Sequence, residues 1–69
     1  MFKYVFDLHV GDVLKLITGE RVIIDSFVEL SEDSVFVNGY YEESGDDFCA
    51  PMDLNDEIRV DIATGGQYR

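Results

Sequence analysis

Between residues 11 and 62 the apolar side chains come in short runs, at 13–17, 22–29, 35–41, 48–50 and 57–62, each closed by a polar or glycine-bearing turn. Within the runs apolar and polar residues tend to alternate, and a period of two buries one face of a β-strand rather than one stripe of a helix. Lys15 marks the water side of the first run, so Leu14 and Leu16 face inward. Asp25 and Glu29 mark it in the second, so Val22, Ile24 and Val28 face inward with Ser26. In the third run Asn38 looks outward and Val35 and Val37 inward. In the last, Ile58, Val60 and Ile62 oppose Arg59 and Asp61. Thr18-Gly19-Glu20-Arg21 reads as a hairpin turn in which Gly19 supplies a positive φ. Gly39, inside a strand, marks a bulge or a sharp bend.

The flanks fit the same plan. Residues 1–6 read as an edge strand, with Phe2, Tyr4 and Phe6 on one side and Lys3 and Val5 on the other, and residues 7–12 as a loop. Pro51-Met52-Asp53-Leu54-Asn55 suits a single helical turn with proline in its first position. Residues 63–69 show no pattern and are expected to fray. The expected fold is therefore all-β: a small antiparallel five- or six-stranded barrel or half-barrel with one helical turn before the last strand. It forms one domain over 1–62, of which 1–10 are the edge strand and loop, followed by a flexible tail at 63–69. A chain of 69 residues buries only about 60% of the surface its unfolded form exposes, so its core supplies a modest stability of about 3–5 kcal/mol.

Five short strands, tight turns and a helical turn before the last strand resemble the Src-homology-3-like barrels and their Sm-like and Tudor-like relatives. The resemblance covers residues 11–62 and is one of element order, so it implies a fold and leaves function open. The motifs of particular branches are not matched. Where Sm-like RNA binders have a helix before the first strand and basic loop residues, this chain has a non-helical start and Glu32, Asp33 and Asp53. Peptide-binding Src-homology-3 domains use a tryptophan, and this chain has none. Phe36, Tyr40 and Tyr41 lack a spacing that marks a Tudor-like cage.

Charge narrows the partners. Fifteen acids against five bases leave a formal net charge of −10. Such a chain is not expected to bind nucleic acid directly, since replacing phosphate counterions takes Lys and Arg, nor an anionic membrane. A basic protein surface is the partner it favours. The single cysteine, Cys49, forms no internal disulfide, which points to a reducing cytoplasm. The N-terminus is too short and interrupted for a signal peptide, and no apolar run approaches the roughly 18 residues of a membrane span.

Catalytic signatures are missing. His9 has no carboxylate or thiol at a catalytic spacing, Cys49 has the sequence context of a small buried hydrophobe, and no serine lies in a nucleophile motif. Neither enzymatic activity nor a cofactor is expected. Reading Asp46, Asp47, Asp53, Asp56 and Glu57 as calcium ligands lacks the alternating positions and glycine of an EF-hand loop, so no metal is expected either. What stands out is the acidic stretch itself. Glu42, Glu43, Asp46, Asp47, Asp53, Asp56 and Glu57 fall within sixteen residues that hold no Lys or Arg. They make either a solvated face or a negative surface for a basic protein, one that imitates nucleic-acid phosphates.

The alternation also turns Val13, Ile17, Ile23, Phe27, Phe36 and Tyr40 outward, more apolar surface than a monomer leaves in one patch. Either Phe2, Tyr4 and Phe6 fold across it or another chain does. The expected function is thus a non-enzymatic acidic protein-binding module. Its acids meet a basic surface, and a patch around Phe27, Phe36, Tyr40 and Tyr41 forms the desolvated centre. An inhibitor occupying a nucleic-acid-binding surface, as a phage-encoded antagonist does, is the special case. The alternative is a structural or accessory subunit that forms a homo-oligomer through sheet edges or the apolar outer face.

Overall fold

The computed structural model describes residues 1–61; the inward assignment of Ile62 and the tail at 63–69 lie outside the described residues. Six strands form one antiparallel sheet that curls into a half-barrel: β1 (Phe2–Tyr4), β2 (Val13–Lys15), β3 (Arg21–Glu29), β4 (Ser34–Tyr41), β5 (Asp47–Asp53) and β6 (Glu57–Asp61). Their spatial order is β1-β6-β2-β3-β4-β5. The all-β class and the half-barrel are as the alternation predicts.

The core is aliphatic and follows the inward positions of the strands. Val5, Leu8, Leu14, Val22, Ile24, Val35, Val37 and Val60 form one buried cluster, with Leu16, Phe27, Tyr41, Phe48, Met52, Leu54 and Ile58 packed against it. Val5 and Leu8 come from the N-terminal segment, Val5 from the end of the expected edge strand 1–6 and Leu8 from the expected loop 7–12, which signals no core residue. After β1, a single 3-10 turn at Val5–Asp7 drops these two side chains onto the open end of the half-barrel. The backbone N–H groups of Val5 and Phe6 donate to the carbonyls of Asp56 (2.8 Å) and Leu54 (3.2 Å), tying this plug to the β5–β6 turn.

Three expectations are corrected. First, the helical turn lies at Val5–Asp7, not at Pro51–Asn55, and β5 instead runs straight through Pro51. The reason is the direction of the missing N–H. Tyr41 donates to the Asp46 carbonyl (2.9 Å), and along the register from Tyr40↔Asp47 to Ser34↔Asp53 the bonded pairs then alternate so that Pro51 is a non-bonded partner of Phe36. Its nitrogen points away from β4 to the free edge of the sheet, where proline removes no ladder bond.

Second, a β-bulge exchanges the faces of β3. Ile24 pairs with Gly39 but Ser26 pairs with Asn38, leaving Asp25 as the extra residue. Past it the parity reverses, because a one-residue slip moves every following side chain to the other face. Phe27, expected outside, packs against the core, whereas Val28, expected inside, is 52% exposed, and Ser26 also faces water. Third, Val13 is buried, although it lies outside the main cluster.

Gly39 makes the bulge feasible. A Cβ there would fall on the carbonyl oxygen of Ile23, with Ile24 Cα at 3.2 Å, so only glycine lets the bulged backbone of β3 pass so close. Gly39→Ala is expected to cost about 2–3 kcal/mol, the scale of overpacking a rigid site. For the fully buried Leu14, truncation to alanine is expected to cost about 2–5 kcal/mol, comparable to the whole stability of so small a domain. Urea unfolding followed by far-ultraviolet circular dichroism checks both: Leu14→Ala is expected to be largely unfolded at 25 °C, and Gly39→Ala to show a clearly lowered midpoint.

Candidate functional site

Strand β5 divides the acidic stretch. Its seven residues separate the two ends by about 20 Å. At one end lie Glu42, Glu43, Asp46 and Asp47, on and beside the β4–β5 turn. At the other lie Asp53, Asp56 and Glu57, around the β5–β6 turn. The five acids read as alternative calcium ligands are parted in the same way, and the described residues contain no group of three or more His, Cys, Asp or Glu side chains placed to hold a metal.

The two ends differ in charge. At the β4–β5 end a cation is built in. Arg21 lies 3.2 Å from a Glu42 oxygen and 3.4 Å from an Asp61 oxygen, and Lys15 lies 3.9 Å from the same Asp61 oxygen. A cavity of about 300 Å³ opens there, lined by Gly19, Glu20, Arg21, Tyr41, Glu42, Glu43 and Ser44. At the β5–β6 end none of the acids is ion-paired among the described residues, and a base, Arg59, lines a cavity with Glu57 on the β1 side. The β3–β4 turn comes alongside, fastened by the Leu54 N–H to the Asp33 carbonyl (2.8 Å). It brings Asp33 beside Asp53, in a turn that also carries Glu32 and is preceded by Glu29 at the end of β3, and the N-terminal plug adds Asp7 next to Phe6, which donates to Leu54. None of these residues, nor Asp56 or Glu57, takes part in an ion pair among the described residues. A small cavity of about 180 Å³ sits at this end, lined by Asp53, Asp56 and Glu57 together with Val5, Pro51, Met52 and Ile58. A lining that mixes acids and apolar residues suits the aliphatic stem and charged head of a lysine or arginine side chain.

The outer face of β3–β5 carries three cross-strand rows. Ile23, Tyr40 and Asp47 form one, Ser26, Asn38 and Cys49 the second, and Val28, Phe36 and Pro51 the third. The middle row is polar: Asn38 Nδ2 donates to Ser26 Oγ at 3.5 Å, and Cys49 is exposed rather than buried as its neighbours suggest. The third row is apolar and borders the acidic end whose carboxylates are not ion-paired among the described residues. Of the four aromatic residues expected in a surface patch, Phe36 and Tyr40 are on this face. Phe27 and Tyr41 are not. Tyr41 packs inward, edge-on to Phe48 with ring centroids 5.7 Å apart. Val28 and Pro51 take their place, and the bulge accounts for Val28.

The N-terminal aromatics do not cover this face. β1 pairs with β6 at the other end of the sheet order. Phe2, Tyr4 and Phe6 are 64%, 44% and 56% exposed, and Tyr4 and Phe6 stack with centroids 5.1 Å apart. His9 is exposed, and its backbone N–H donates to Asp12 Oδ2 at 2.9 Å. No known family matches the chain, and neither a curated protein nor a solved structure matches it.

Ion pairs on a partly exposed surface are worth at most about 1 kcal/mol each, whereas the uncompensated acids repel one another throughout. Screening therefore removes more repulsion than attraction. Raising sodium chloride from about 0.05 to about 0.5 M is expected to raise the melting temperature in differential scanning calorimetry; a fall would show that the ion pairs dominate.

Proposed function

We propose that this chain is a non-enzymatic acidic protein-binding module, of Src-homology-3-like build, that docks on the basic surface of a larger protein. One observation supports this above the others: the apolar row Val28–Phe36–Pro51 borders an acidic end that holds no ion-paired base among the described residues. An apolar centre beside like charges is the arrangement in which charge steers the encounter and burial retains the partner. The first part of the expected site, Glu42, Glu43, Asp46 and Asp47, contributes the long-range field. The second part, Asp53, Asp56 and Glu57 with Glu29, Glu32 and Asp33, makes the contact. In the special case of a cytoplasmic inhibitor, these carboxylates take the place of phosphates on a nucleic-acid-binding surface, as a phage-encoded antagonist does.

The partner is obtained by affinity capture from a lysate of the native host and the interaction then measured with purified components. Reversing Asp53, Asp56 and Glu57 to Lys is expected to slow association at least about tenfold at low salt. The same change at Glu42, Glu43, Asp46 and Asp47 is expected to have the smaller effect. Val28→Ser removes apolar contact without emptying the core and is expected to speed dissociation, at a cost of about 1 kcal/mol or more. Association rates that ignore both charge reversals would overturn the electrostatic mechanism.

A further inference from the structure

The two edges of the sheet are built oppositely. β5 is guarded along its free side. Pro51 withholds a donor there, and Asp47 and Asp53 stand near the two ends of the strand. Self-pairing of β5 about Ala50 would set Asp47 of one copy against Asp53 of the other, a like-charge contact. β1 is less guarded: between Phe2 and Tyr4 there is neither proline nor acid, and its one charge, Lys3, is held by Asp12 at 3.2 Å.

The backbone of β1 is also oriented outward. Val60 donates to the Met1 carbonyl (2.8 Å) and Val5 to the Asp56 carbonyl (2.8 Å), with Phe2↔Arg59 and Tyr4↔Glu57 in register between them. Alternation makes Phe2 and Tyr4 the non-bonded partners of β6, so their N–H and C=O groups point to the free side. Among the described residues no strand lies there. The side chains flanking these groups are the exposed aromatics. The charge is balanced as well: Lys3 pairs with Asp12 at 3.2 Å, and Arg59 lies across from Phe2, near Glu57. In a chain of net charge −10, this is a stretch where another copy can approach without meeting a wall of carboxylates.

We propose that β1 is a strand-pairing edge for a second copy of this chain, in an antiparallel two-fold arrangement that sets Phe2 of one copy opposite Tyr4 of the other. That register alone uses the outward groups of both residues on both copies. Setting Phe2 opposite Phe2, or Tyr4 opposite Tyr4, engages only one residue of each, because the Phe6 N–H is already bonded to Leu54. The chosen register joins the Tyr4–Phe6 stack to Phe2 of the other copy in one aromatic strip. It sets Lys3 opposite Lys3, a like-charge contact that the Asp12 carboxylate 3.2 Å from each ammonium offsets, whereas the β5 acids have no such counter-charge among the described residues. An edge of three residues makes a small interface, so the dimer is weak and concentration-dependent. It lies apart from the acidic end, and it goes beyond the proposed binding role.

Sedimentation equilibrium of the full chain at about 10 µM and about 1 mM tests this. The apparent mass is expected to rise with concentration towards twice that of the chain. It is expected to rise further with added salt, which screens repulsion between two acidic copies, whereas binding to a basic partner weakens with salt. Tyr4→Pro deletes one outward N–H and spares the β6 ladder, and Tyr4 already has φ −72° and ψ 149°, which the ring accepts. This variant is expected to sediment as a monomer with unchanged circular dichroism. A wild-type chain that is monomeric at both concentrations overturns the proposal, and so does a dimer that survives Tyr4→Pro.

Should Tyr4→Pro unfold the chain, Phe2→Cys with Tyr4→Cys in a Cys49→Ser background decides. Bonded antiparallel partners lie about 5.5 Å apart at Cα, within disulfide reach. Oxidation is expected to give a covalent dimer that runs at twice the mass without reductant. Failure to cross-link overturns the pairing.

Discussion

The structure depends on the passage of the β3 backbone over Gly39. With no side chain in the way, the Ile23 carbonyl closes on β4, and β3 absorbs the extra residue Asp25 without breaking the sheet. Everything beyond that point inherits the change of parity. Phe27 turns inward to pack against the core, Val28 becomes surface, and the row Val28–Phe36–Pro51 exists because of it. A bulge is thus both the device that bends the half-barrel and the one that decides which apolar residues water sees.

Much of the architecture was legible because period-two alternation is a direct consequence of the pleat. Leu14, Val22, Ile24, Val35, Val37 and Val60 are buried where the pattern places them. What escaped the pattern did so for nameable reasons. The bulge leaves only a glycine and a small polar pair as its trace, so the faces of Phe27 and Val28 read the wrong way round. Pro51 signals a helix start and a guarded edge equally well, and only the hydrogen-bond phase of β4 and β5 separates them. Val5 and Leu8 belong to a single turn, too short to show any period. The acids of the candidate site were visible as a run, but neighbours in sequence are not neighbours across a strand. Asp33 joins Asp53 only through the β3–β4 turn, which also carries Glu32 and is preceded by Glu29.

Charge is distributed with the same logic. Lys15 and Arg21 are spent on Asp61 and Glu42, and Lys3 on Asp12, while Arg59 lies beside Glu57 on the β1 side, so among the described residues Asp53, Asp56 and the acids of the β3–β4 turn keep an unpaired field. Carboxylates there need no burial to act. Their effect on a basic partner is long-ranged at low salt and falls within a Debye length at higher salt. The apolar row beside them acts only on contact. In the proposed binding role the two features divide recognition into an approach and a hold, and they are built from different strand positions.

Pro51 has a further consequence. A sheet with two open edges behaves as a bifunctional monomer, and chains of such units extend without limit, which is the route to fibres. With one edge blocked and the other left to β1, the proposed pairing has a valency of one. Whatever strand it accepts, the resulting sheet ends in a guarded β5 at its far side, and addition stops after a single step.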